Sequence, residues 1–221
     1  MFQPQLNLAE ATTAVTSLVK EYNVIAHLSR QLIGQLVTTS GAIMACDPLG
    51  KLQDGAFEEV FPKGNFPVTL CVAELPNHLR VSAYAMVEFL PEQPTTWELA
   101  HLRSLHSATG YKHAFWVDSG TACFMDLETL ALLKDYLLVS SAADAHRLQL
   151  IQQVFGDQNQ VGGAGIGRAV LAFAQASGLT CVVFPTGWGD DLYSSYLGRT
   201  VSGAICRLLT EFNVLDIEPK D

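Results

Sequence analysis

The strongest constraint on this chain is a two-residue hydrophobic repeat, interrupted in mid-chain by a helical one. In Arg80 to Leu90, Val81, Ala83, Ala85 and Val87 alternate with Ser82, Tyr84, Met86 and Glu88. That period presents one face to a core and leaves the other more polar, as a strand does. Phe66 to Leu75 is a second long strand, joined to it across Pro76-Asn77-His78. Between Leu127 and Phe155 the spacing changes: Leu127, Leu130, Leu133, Leu137 and Leu138 suit a helix starting at Asp126. A second helix is expected from about Ala142 to Phe155, with Ser141 and Asp144 as a capping box and Gly156 as its stop.

Strand signals occupy most of the rest. Leu32 to Thr38 and Ala42 to Cys46 flank Thr39-Ser40-Gly41, which reads as a hairpin turn, and Asp47-Pro48 ends the second run. Leu52 to Asn65 is a connection, and Trp97 to Ala100 follows the punctuation of Pro91 and Pro94. Ala114 to Val117 and Thr121 to Met125 lie either side of Asp118-Ser119-Gly120. Strands resume at Ala169 to Ala174, Leu179 to Phe184, Leu192 to Leu197 and Ala204 to Val214. At the other end, Asn7 and Glu10 form a capping box, and Leu8, Val15, Leu18, Val19 and Tyr22 predict a helix over 8–21. The expected fold is β-rich α+β: an antiparallel sandwich or half-open barrel, an N-terminal helix, and a two-helix insertion at about 127–156. No linker divides the 221 residues, so one domain is expected over 1–221.

Composition narrows the partners. Hydrophobic residues make up 49% and charged residues 16%, enough apolar surface for a core and no case for disorder. Thirteen basic against 22 acidic residues give a net charge of −9, which repels phosphate backbones and tolerates a basic protein or a cation. No apolar run approaches a membrane span, and Met1 to Glu10 lacks a signal-peptide pattern, so the cytoplasm is the expected compartment. The 5 cysteines, Cys46, Cys71, Cys123, Cys181 and Cys206, are odd in number and scattered, which argues against disulfides or a structural zinc site.

Three segments could carry chemistry. Asp118, ahead of Gly120, either binds a cation or acts as a base, or closes an Asx-turn. Asp126 reads as a helix N-cap. In Thr186-Gly187-Trp188-Gly189-Asp190, Trp188 either stacks on a ligand that Asp190 anchors, or plugs a core end while Asp190 bonds backbone amides. Cys46 beside Asp47 could be a nucleophile, yet none of the histidines is placed by sequence to serve as its base. The glycines of Gly163 to Gly167 fail the dinucleotide and P-loop spacings.

Several segments together resemble the bacterial domain-of-unknown-function family 4241. They are Gly41 to Pro48, Phe66 to Leu70, Trp97 to Ala100, Val117 to Asp126 and Thr186 to Asp190, then Tyr193 and Gly198. The resemblance runs over about residues 30–215 and maps its signatures onto Cys46, Asp47, Asp118, Gly120, Asp126, Gly187, Trp188, Gly189, Asp190 and Tyr193. The chain departs at Asp191 and Ser194, where the family tends to Gly and Pro. No activity comes with the resemblance. The candidate ligand-binding set is Asp47, Asp118, Gly120, Trp188, Asp190 and Tyr193. Its leading reading is an interaction module for a protein or small molecule, suited to neutralising a basic partner. The alternatives are a hydrolase in which clustered aspartates hold a divalent cation, and a purely structural role.

Overall fold

The computed structural model describes residues 8–50, 52, 55–103, 112–156, 167–173 and 178–216. Among the described residues twelve strands form two antiparallel sheets, with two of the helices packed on the smaller one. The larger sheet runs β1 (Thr16–Val19), β2 (Val24–Thr38), β4 (Gly64–Glu74), β5 (Arg80–Glu88), β12 (Ile205–Glu211), β11 (Asp191–Arg199), β6 (Thr96–Leu99). The strand β7 (Ala114–Val117) pairs with the first half of β11. The smaller sheet runs β3 (Ile43–Cys46), β8 (Thr121–Asp126), β10 (Leu179–Pro185), β9 (Ala169–Phe173).

The large sheet curls into a half-barrel. Past β12 the backbone bends at Asn213, whose φ is +57°. Val214–Asp216 then returns to β1: Lys20 N donates to Val214 O, and Asp216 N to Leu18 O. Inside this curl Arg30 donates to the Tyr84 hydroxyl and to the carbonyls of Ala11 and Ala14, pinning the short helix α1 (Leu8–Thr13) across its end.

The smaller sheet is a middle layer, and its strands β3, β8 and β10 are buried on both faces. Along β10, Val182 and Phe184 pack with Phe124 of β8 against the large sheet. Cys181 and Val183 face the other way, with Met44, Cys123 and Met125. Leu130 and Leu133 of α2 (Thr129–Lys134) and Leu150 and Val154 of α3 (Ala143–Phe155) cover that second face. A strand buried on both sides loses its polar alternation, which is why β8 and β10 read as continuous apolar runs.

The fold class is as expected: β-rich, antiparallel, with a half-barrel, an N-terminal helix and a few further helices. Four local expectations change. The helix predicted over 8–21 ends at Thr13, and Thr16–Val19 is strand β1, paired with β2 from Thr16↔His27 to Val19↔Val24. The β-branched run Thr12, Thr13, Val15, Thr16 disfavours a helix and suits a strand. Thr39-Ser40-Gly41 is not a hairpin turn, because β2 belongs to the large sheet and β3 to the small one. The helix expected from Asp126 starts at Thr129, and Asp126 closes β8. The capping box at Ser141 and Asp144 is absent: the N-cap is Ala142, with no side-chain bond. Gly156 does stop α3, at φ +71°. Gly163 to Ile166 lie outside the described residues.

Candidate functional site

The chain passes between the sheets at β2/β3, β3/β4, β7/β8 and β10/β11, and three of these crossings meet at one end of the molecule. Asp47, just after β3, is buried there. Its Oδ1 accepts from the amides of Leu49 (2.8 Å) and Gly50 (2.9 Å) and from the Ser119 hydroxyl (2.6 Å). Its Oδ2 accepts from the amides of Asp118 and Ser119, each at 2.9 Å. With this many donors the carboxylate's lone pairs are occupied.

The turn that Asp47 holds is in turn tied to the Thr186–Asp190 loop. Gly120 N donates to Asp190 Oδ1 (2.9 Å), and Thr186 N donates to Gly120 O (2.9 Å). Gly120 has φ +64°, a conformation that glycine adopts without strain. On the loop's far side the hydroxyls of Tyr193 (2.7 Å) and Thr186 (2.8 Å) both donate to Gly189 O. Tyr193 is buried, and burial pushes its phenol up to about 12 despite the Thr186 hydrogen bond. Thus five of the six candidate residues, Asp47, Asp118, Gly120, Asp190 and Tyr193, form one connected array. Its links run through backbone groups rather than from carboxylate to carboxylate.

Asp126 repeats the device at the β2/β3 crossing. It accepts from the amides of Thr39 (2.9 Å) and Ser40 (3.0 Å), the Ser40 hydroxyl (2.7 Å) and the Glu128 amide (2.9 Å). Its cap-like bond to Glu128 is one of four, and the others hold a turn distant in sequence.

Trp188, the sixth candidate, projects from the loop. It is 38% exposed, and its ring meets that of Tyr22 edge-on, with centroids 5.4 Å apart. Tyr22 lies in the β1–β2 turn and is exposed as well. Asp118, Asp190 and Asp191 are all exposed around these loops. The Asp118 carboxylate accepts from Trp116 Nε1, and that of Asp191 from Asn213 Nδ2 (2.9 Å) and its neighbour's amide. The added carboxylate at Asp191 is therefore a solvent-facing charge tied to the bend after β12.

Two features of this end escape sequence reading. Tyr22 gives no local signal, since its partner is 166 positions away. Glu211 has one: it is a lone carboxylate in the apolar run of β12. Burial pushes its carboxyl up to about 7, against the pull of Lys20 and the amides of Asn213 and Val214. Its Oε1 has no hydrogen-bond partner.

Among the described residues no group of three or more His, Cys, Asp or Glu is placed to hold a metal ion. Cys46 is buried against Cys123, with sulfurs 3.7 Å apart, and its thiol is held well above its usual range by that contact and by burial. All five thiols are free and buried. No helix among the described residues is long and apolar enough to cross a membrane.

A family model described as a protein of unknown function (DUF4241) matches residues 36–210. Comparison with curated proteins and with solved structures gives no match.

Proposed function

The chain belongs to the DUF4241 family, and from that premise we propose that it is an interaction module whose recognition surface is the Trp188 end of the molecule. One observation carries the reading: an exposed aromatic pair, Trp188 and Tyr22, meets edge-on among exposed aspartates, and the Trp188 loop is fixed from beneath by partly buried hydrogen bonds. Rigid aromatics cost little conformational entropy on binding, and they are enriched at binding hot spots. Asp118, Asp190 and Asp191 supply negative charge around them. Arg and Lys side chains meet both needs, by cation–π contact and by ion pairing. The partner favoured by this chemistry is a basic protein or peptide, which a chain of net charge −9 also attracts at long range.

A capped oligo-arginine peptide tests the proposal, with binding followed by tryptophan fluorescence. Binding is expected to weaken as salt rises and to fall at least tenfold in Trp188→Ala, while a capped oligo-glutamate does not bind. Affinity indifferent to both salt and Trp188→Ala, or no binding at low salt, overturns it.

A further inference from the structure

A cavity of about 500 Å³ lies between α3 and β9. That is within the range of ligand sites, roughly 300–1,000 Å³. Four consecutive residues of β9, Val170 to Phe173, line it. Successive strand side chains point to opposite faces, so lining by all four means that the cavity runs along the edge of the strand. That edge is the end of the smaller sheet, because among the described residues β9 pairs with β10 alone.

The ladder phase shows which backbone groups face the cavity. Thr186 N donates to Gly120 O, so Val182 and Phe184 exchange hydrogen bonds with β8 and Cys181 and Val183 with β9. In the β9 register Cys181 sits opposite Leu171 and Val183 opposite Ala169. The N–H and C=O groups of Val170 and Ala172 therefore point outward, and no described residue bonds to either. An edge of this kind is a template for another strand.

The opposite wall is built for a side chain. His146, Gln149, Leu150 and Gln153 share one face of α3, at the i, i+3, i+4, i+7 spacing. Leu132 and Tyr136 come from α2 and the π-helical turn Asp135–Val139 that continues it. Tyr136 stacks on His146, with centroids 3.8 Å apart, and His146 Nδ1 bonds to Tyr136 O (2.9 Å). Among the described residues no Asp, Glu, Lys or Arg lines the cavity. In an acidic chain this groove is locally neutral, and a charged ligand would leave its charge unpaired there. The complementary ligand is uncharged.

We propose that the groove between α3 and β9 binds an extended, uncharged peptide segment as an added strand of the smaller sheet. The peptide's backbone pairs with Val170 and Ala172, and its apolar side chain enters between Leu150 and Phe173. Glutamines 149 and 153 offer amides to the peptide's remaining polar groups. This is strand addition, in which main-chain bonds give affinity and a pocket gives selection. It is independent of the Trp188 surface.

The probe is the capped peptide N-acetyl-Thr-Leu-Thr-Phe-Thr amide, added to the full chain. Calorimetry should show saturable binding, and hydrogen exchange should slow at the Val170 and Ala172 amides. The same peptide N-methylated at alternate residues, in either register, should bind at least tenfold more weakly. Ala172→Pro removes an outward N–H on an edge strand, where proline is tolerated, and should have the same effect. Gln153→Lys, an exposed change, keeps the fold and should weaken binding severalfold. Both variants should retain oligo-arginine binding, so failure here is distinct from failure of the Trp188 reading. Absence of binding to folded wild type overturns the proposal. So does equal affinity for the N-methylated peptides, or for Ala172→Pro.

Discussion

Asp47 and Asp118 look alike in the sequence, each an aspartate at the end of a strand, yet they sit in opposite environments. Asp47 is buried with five donors at 2.9 Å or less, and Asp118 is exposed. Hydrogen bonds to a charged group are worth about 1.5–3 kcal/mol each, and losing one partner strands the rest. Asp47→Asn, which removes the charge and turns one acceptor into a donor facing N–H groups, should cost about 2–4 kcal/mol of unfolding free energy. Asp118→Asn should leave stability nearly unchanged, and urea titration of both variants reads the contrast. Glu211 makes the opposite case. Its folded-state carboxyl titrates at about 7, above the ordinary 4.5, so the folded chain holds that proton more tightly than the unfolded chain. The associated stability is fully present below pH 4.5 and is lost as pH rises through about 7. The span corresponds to roughly 3 kcal/mol. Glu211→Gln should abolish this slope and exceed wild type in stability at pH 8.5. Denaturation midpoints at several pH values check it.

At the scale of elements, sequence reading located most strands but did not assign them to sheets. Arg80 to Leu90 is legible as β5 from its alternation of small apolar with larger or polar residues, yet Val81 to Val87 are all buried, so neither face is left to solvent. The runs either side of Thr39–Gly41 and of Asp118–Gly120 are legible as strands too. Yet each pair is split between two sheets. A short turn between two strands has the same composition whether it closes a hairpin or carries the chain to another layer. What separates them is a distant partner: Asp126 for the first turn, and Asp47 with Asp190 for the second. The same limit applies to Gly187, whose requirement comes from β12. A Cβ there would lie 2.6 Å from Phe212 O and 2.7 Å from Val214 Cγ2. Gly187→Ala must push the loop off the segment after β12, at about 1–3 kcal/mol, the usual range for overpacking. Because Trp188 is the next residue, the same variant should weaken oligo-arginine binding. Thermal melting and fluorescence titration measure the two effects.

Across the molecule, the signature aspartates coincide with the places where the chain changes sheets. Asp126 braces β2/β3, Asp47 braces β3/β4 and β7/β8, and Asp190 ties β10/β11 to the β7/β8 turn. These bonds join backbone amides of the crossing segments to carboxylates at the borders of the smaller sheet. The two sheets also share an apolar interface, from Leu36, Val68 and Leu208 on one side to Phe124, Val182 and Phe184 on the other. Neither sheet can open without exposing that interface and unpairing several buried amides, so the chain should unfold as one unit. The residue distribution allows a direct check. Trp97 and Trp116 report the large sheet, while Cys46, Cys123 and Cys181 lie in the small one. With Cys71 and Cys206 changed to alanine, thiol labelling reads the small sheet alone. In urea, the fluorescence and labelling midpoints should coincide, and in Asp47→Asn they should shift down together. Two separated midpoints would mean that the layers fold independently and that the carboxylates brace loops without coupling the sheets.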